Sequence, residues 1–329
     1  MNKKNKKIIK IYSGSHLYGT NTPDSDRDYL GIYLNTKEEI LGLQTSEELT
    51  ENIESKAENG RNTKDAVDCK YYELRKFCRL ALNNNPTVLE ILFVNPENII
   101  EITPEGQALL DLRYDFLSKR LFHSFFGYAT SQEKKAFIKS ENINHIERFY
   151  NWINTFVSVK DTPISNMTFN DFYNAIKDKS VFENHIKFYQ NQNNDTMFQC
   201  GDLKFPINIL MKKLKDSLKE RLDKASWRKD GMLQYGCDYK FMSHNVRLLL
   251  EGLEFVKTKD LKFPLTYREL IKQIKLGKIE NNKIIELMKK YKEEFRGFEK
   301  NNTLPDTGNY NKINQFIIDT YYNYLKNEE

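Results

Sequence analysis

The chain has 329 residues, 51 Lys and Arg against 46 Asp and Glu, and 39% hydrophobic residues. Its 21 Phe and 19 Tyr, each able to remove about 150–250 Å² from water, supply the material of a packed core and exclude wholesale disorder. Residues 1–10 hold five lysines and no acid, so the remainder is neutral and no broad nucleic-acid-binding face is expected.

A β-branched run over residues 7–13 stops at Gly14-Ser15, which reads as a strand entering a turn, with Ser15 capping a short helix through Tyr18. Residues 22–25 (TPDS) are a turn by composition, and residues 26–34 read as a second strand. Residues 44–64 are polar and predict a loop or ragged insertion; residues 65–70 predict a third strand. From Tyr71 the apolar spacing is helical, broken at Asn83-Asn84-Asn85-Pro86 and resumed over 87–94. Residues 106–157 are again helix-patterned. Residues 158–205 are Asn- and Asp-rich and read as an irregular insertion. Residues 207–224 and 239–257 predict amphipathic helices, and the rest is helical apart from a turn at 305–308. The fold class is therefore α/β (α+β): a small unit over 1–105, then a larger helical region over 106–329 with an insertion at about 135–224.

No apolar run approaches the ~18 residues needed to span a bilayer, and the lysine-rich start has no h-region of a signal peptide. Cys69, Cys78, Cys200 and Cys237 form neither a C-x-x-C pair nor a disulfide framework. A cytoplasmic protein without a membrane partner is expected.

The chemistry is concentrated in residues 14–28 (GSHLYGTNTPDSDRD). Asp26 and Asp28 stand two apart at the start of a strand, so both side chains leave one face. Carboxylates that close repel one another, and a hard divalent cation with oxygen ligands, Mg²⁺ above all, relieves the repulsion. The Gly14-Ser15 turn offers backbone N–H groups and a hydroxyl to a phosphate. A D-x-D pair alone is ordinarily a solvated strand face, and Gly-Ser ordinarily a turn; joined as G-S-x-x-Y-G-x-x-T-x-x-S-D-x-D they form a phosphate-plus-metal layout.

That segment resembles the signature of the DNA polymerase β-like nucleotidyltransferase superfamily, and more closely its bacterial and phage branch that includes proteins found beside RNA ligases in RNA repair clusters. Residues 72–82 with 85–93, residues 116–129, and residues 239–252 are similar to the same branch. Residues 1–130 and 225–290 are covered; 135–224 are not. The resemblance implies a small catalytic domain with a mixed sheet, a Gly-Ser helix start holding triphosphate, and two ions (Mg²⁺, with Mn²⁺ as the alternative) on three carboxylates. Two of these are Asp26 and Asp28. The third falls on Asp68 by its distance from residues 74–77, with Asp65, on the opposite strand face, as the alternative.

The nucleotide, ATP in the first instance, is expected on Gly14, Ser15, Ser25, Lys240 and His244. Lys240, His244 and Arg247 share a helix face and read either as a basic stripe toward the triphosphate or as a salt-bridged face with Glu251. Glu90, on an apolar helix, is either functional or the partner of an Arg. The implied activity is Mg²⁺-dependent transfer of NMP from an NTP to a hydroxyl, with an RNA or tRNA 3′ end as the leading acceptor. Transfer of AMP onto a partner protein and a non-catalytic nucleotide-binding module are the alternatives.

Overall fold

The structure, a computed structural model, describes residues 5–56, 63–156, 158–159, 162–225 and 236–326. Its first elements are β1 (Lys6–Ser13), α1 (Gly14–Tyr18), β2 (Arg27–Leu34), α2 (Lys37–Leu41), β3 (Glu48–Ile53) and β4 (Val67–Glu73). They are followed by α3 (Leu74–Leu82), α4 (Pro86–Leu92), β5 (Ile99–Ile102), α5 (Pro104–Asp111) and α6 (Arg120–Asn154). Then come β6 (Ser158–Val159), β7 (Thr162–Pro163), α7 (Phe169–Ala175), α8 (Ser180–His185), β8 (Ile186–Gln190), β9 (Thr196–Cys200), β10 (Leu203–Pro206) and α9 (Met211–Ala225). The last helices are α10 (Tyr239–Thr258), α11 (Arg268–Lys275), α12 (Asn281–Glu299) and α13 (Tyr310–Lys326). No helix among the described residues is long and apolar enough to cross a membrane.

The chain divides into two units, one of residues 1–132 and 243–329, the other of residues 133–242. The first is built on a five-stranded sheet in the order β3-β4-β2-β1-β5. It is mixed: β2 and β4 run parallel, while β1–β2, β1–β5 and β3–β4 are antiparallel. The central strands are apolar enough to be covered, and Ile9, Ile11, Ile32 and Leu34 are at most 1% exposed. They join Phe77, Leu89, Phe116, Phe125, Leu249 and Phe255 in one core. Asn85 caps α4 through its side chain on the Thr87 N–H, and Pro86 occupies the first turn, where a missing N–H costs nothing.

Two expectations for this unit are corrected, and one strand is added on which the sequence carried no expectation. Residues 48–53 form a strand, because β4 would otherwise be a bare edge and the polar ELTENI can pair through backbone with its side chains in solvent. Residues 71–73 extend β4, since Tyr71 and Tyr72 pair with β2 and β3, and α3 begins at Leu74. Residues 99–102 form β5 on the other edge, too short to carry an alternation signal.

The second unit overturns the irregular reading of 158–205. It holds a three-stranded antiparallel sheet, β10-β9-β8, and a two-stranded one. Its core joins Phe149, Phe169, Phe172, Phe182, Phe198 and Leu214. Phe169 stacks on Phe198 at 4.0 Å between centroids. The Asn and Asp that made the segment look irregular occupy its turns, as Asn191 does in accepting the N–H groups of Asn193 and Asp195.

Candidate active site

Strand register assembles the acids. Parallel pairing sets Asp28 of β2 directly beside Asp68 of β4, and antiparallel pairing sets Ser13 of β1 beside Asp28 on the other side. Residues paired across strands project to the same face, and Asp26, two residues before Asp28, projects with them. Ligand oxygens of Asp26, Asp28 and Asp68 lie within 4.8 Å of one another, the first two half-buried and the third exposed. Asp65 stands exposed in the turn before β4 and is not one of the three.

Hard oxygen donors this close are the ligand set that a divalent cation such as Mg²⁺ takes, so the residues fit the ions that the sequence motif implies. Among the described residues these are the cluster of His, Cys, Asp and Glu with metal-binding spacing.

Gly14 opens α1 against that cluster. Its φ is +57°, and a Cβ there would come within 2.3 Å of Asp28 Oδ2; glycine is required on both counts. Ser15 follows, half-buried, its carbonyl accepting the Thr20 N–H at 2.9 Å. The helix ends at Gly19, in the left-handed region with φ +72°. Ser25 is turned inward on its own loop: its hydroxyl oxygen accepts the Thr22 N–H at 2.9 Å.

Lys240 and His244 lie on α10, where the Asp238 carboxylate accepts the Lys240 backbone N–H at 2.9 Å. Lys240 is exposed and belongs to the second unit; His244 is half-buried, belongs to the first, and is not a member of the acid cluster.

The stripe reading fails for Arg247. Its guanidinium is 10% exposed and donates to Glu90 at 2.8 Å and Glu251 at 2.6 Å, both carboxylates being 1% exposed. The Tyr18 hydroxyl donates to both Glu90 oxygens at 2.9 Å, and the guanidinium carbon sits 4.3 Å from the Tyr18 ring centroid. Burial raises the Glu90 carboxyl against the lowering effect of Arg247 and Tyr18. Burial pushes Glu251 up to about 8, again against Arg247. Arg247 stays charged, held well above its ordinary value by Glu251, Tyr18 and Glu90 in spite of burial.

This network was not legible beforehand as a unit. Its signals were a Glu inside an apolar helix, an Arg and Glu four residues apart, and a Tyr in the signature with no chemistry assigned to it. His16 lies inside the signature; its ring stands 6.3 Å from that of Tyr12, and its Nε2 is buried with no hydrogen-bond partner among the described residues.

A family model described as RlaP, RNA repair pathway DNA polymerase beta family, matches residues 2–188. The match continues through 135–188, where the motifs carried no resemblance, and stops short of 225–290, where they did. The chain is also similar to an uncharacterized 38.9 kDa protein of the nrdC-mobD intergenic region of Enterobacteria phage T4, 28% identical over 298 residues, with 83% of each chain covered. No solved structure matches it.

Proposed function

Because the chain belongs to the RNA repair pathway DNA polymerase beta family, we propose that it is a nucleotidyltransferase that moves NMP from an NTP, ATP in the first instance, to an RNA or tRNA 3′ hydroxyl and releases pyrophosphate. The observation that carries the reading is the convergence of Asp26, Asp28 and Asp68 beside the Gly14 turn. In this reading residues 1–105 are the catalytic unit, and the helical remainder with its insertion serves the acceptor.

Asp26, Asp28 and Asp68 would hold two Mg²⁺ or Mn²⁺ ions, which would supply charge neutralisation at the phosphorus oxygens and acidity at the attacking hydroxyl. The protein's own part is positional. Backbone N–H groups at Gly14 and Ser15 and the Ser15 hydroxyl hold the β- and γ-phosphates. Ser25 keeps the loop before Asp26 closed, and His244, on α10 of the same unit, is a further nucleotide-binding side chain. Asp26 and Asp28 hold the nucleotide side of the site; Asp68, the exposed member, faces the acceptor and takes its proton. The bond from the acceptor oxygen to the α-phosphorus forms as the α-phosphorus–oxygen bond to the β-phosphate breaks, and pyrophosphate carries away the electron pair.

The test is incubation with Mg²⁺, each α-labelled NTP in turn, and a pool of tRNA and cleaved RNA ends, with Asp26→Ala/Asp28→Ala alongside. Label on RNA that vanishes in the variant supports the proposal and names the nucleotide. Label on protein alone moves the acceptor to a partner protein. ATP binding without transfer to any acceptor leaves a nucleotide-binding module and overturns the enzymatic reading.

A further inference from the structure

The signature tyrosine, Tyr18, has no task in the phosphate-plus-metal layout, yet it is the most heavily anchored residue of α1. Its hydroxyl donates to both oxygens of Glu90 at 2.9 Å, its ring lies under the Arg247 guanidinium at 4.3 Å, and its carbonyl accepts the Leu265 N–H at 3.2 Å. Next to it, Gly19 leaves so little room that a Cβ would meet Pro264 at 2.7 Å and Arg268 at 2.9 Å. The α1 helix spans only Gly14–Tyr18, so its C-terminal end is clamped to α4, α10 and the 264–268 segment while its N-terminal end rests on Asp28.

A buried ionic network is a poor source of net stability. Desolvating a guanidinium and the acidic groups that face it consumes most of what their attraction returns, and an apolar group of similar volume often does as well. What such a network does supply is direction, because each bond is satisfied in one arrangement only. Here that direction is delivered to one short helix, and through it to Gly14 and Ser15.

Resting on the transferase reading above, we propose that Tyr18, Glu90, Arg247 and Glu251 form a positioning cluster that sets where Gly14 and Ser15 meet the nucleotide's phosphates. Tyr18 is a positioning residue and touches no reacting atom. The chain of contact is short: Glu90 and Arg247 hold Tyr18, Tyr18 holds the roll of α1 about its axis, and that roll sets the distance of the Gly14 backbone from Asp28. The acids themselves stand on β2, on β4 and at the residue before β2, where backbone pairing of the two strands sets their register. The cluster therefore governs nucleotide affinity and leaves metal affinity alone.

The experiment compares wild type with Tyr18→Phe and Glu90→Gln in the full chain. It measures Mn²⁺ affinity without nucleotide, Mg²⁺–ATP affinity by calorimetry, KM and kcat for transfer, and Tm. Tyr18→Phe keeps the ring and should leave Mn²⁺ affinity unchanged, while the buried Glu90 loses a donor and Tm falls modestly. Its Kd and KM for ATP should rise about tenfold, about 1.4 kcal/mol of lost binding, with the KM for RNA unaffected. Glu90→Gln should shift nucleotide affinity in the same direction by a smaller factor.

ATP affinity equal to wild type in both variants, with wild type active, overturns the positioning role and leaves the transferase reading standing. A loss of ATP affinity matched by an equal loss of Mn²⁺ affinity shows a merely structural role and overturns it too. If Tyr18→Phe does not fold, Glu90→Gln and Arg247→Lys decide the question by the same readouts. A wild type that neither binds ATP nor transfers removes the transferase reading, and the positioning role with it.

Discussion

At Gly14 two independent constraints fall on one residue: a left-handed φ of +57° and an approach that would bring a Cβ within 2.3 Å of Asp28 Oδ2. Left-handed backbone costs an L-residue about 1–2 kcal/mol, and the clash can be relieved only by moving α1 or the acid. Gly14→Ala is therefore expected to lower unfolding free energy in urea by about 1–2 kcal/mol and to lose transfer activity far beyond that modest change. The two candidate acids of the 65–70 segment are separable in the same way. Asp68→Asn is expected to abolish label transfer, while Asp65→Asn, altered in an exposed turn outside the triad, keeps wild-type turnover.

Glu251 makes a pH prediction. Burial raises its carboxyl to about 8, above the ordinary Glu value near 4.5, so across that interval the folded protein holds a proton that the unfolded chain has released. Stability then falls as pH rises from about 4.5 to about 8, and levels off above it. Glu251→Gln, which cannot release a proton, should flatten that slope. Tm measured against pH for both proteins checks this, and parallel curves would show that the proton resides elsewhere.

Among the elements, α3 shows how a charged residue can end one structure and begin another. Glu73 closes β4, caps α3 by accepting the Lys76 N–H at 2.9 Å, and receives further bonds from Arg75 Nε at 2.9 Å and the Tyr321 hydroxyl. It is 2% exposed, so its carboxylate depends on these donors rather than on water. Tyr321→Phe removes the donor brought by α13 and is expected to cost about 1–3 kcal/mol of unfolding free energy, read by urea denaturation. The local grammar of such elements was readable: the Asn83–Pro86 break, the strand before Gly14 and the helices from 211 and 239 all appear within a few residues of their expected ends. Edge strands were not, because ELTENI and IIEI take their conformation from the neighbour they pair with and carry little pattern of their own.

Over the whole molecule, charge is less evenly spread than the neutral remainder implied. Residues 133–242 hold 18 Lys and Arg against 14 Asp and Glu. Beyond residues 1–10, the first unit holds 28 against 32. Lys212, Lys213 and Lys219 stand exposed on α9 of the second unit. If RNA is the acceptor, replacing these three with Glu should raise the KM for RNA several-fold and lower its salt dependence by about one unit of slope per lost phosphate contact. ATP affinity should not change. An unaltered salt slope would take α9 out of the acceptor surface.

By itself the sequence determined the signature from Gly14 to Asp28, the fold class, and the family, because those rest on short-range spacing that survives without any knowledge of packing. Only the tertiary structure decided which acid completes the triad, since the choice between Asp65 and Asp68 depends on where β4 begins and with which residue it pairs. It alone withdrew Arg247 from the basic stripe and gave it to Glu90, more than a hundred residues away in sequence. It also turned the Asn-rich stretch after 158 into a second core. Strand pairing decides the first case and burial the other two; both act between residues that the chain order keeps apart, and no local pattern records them.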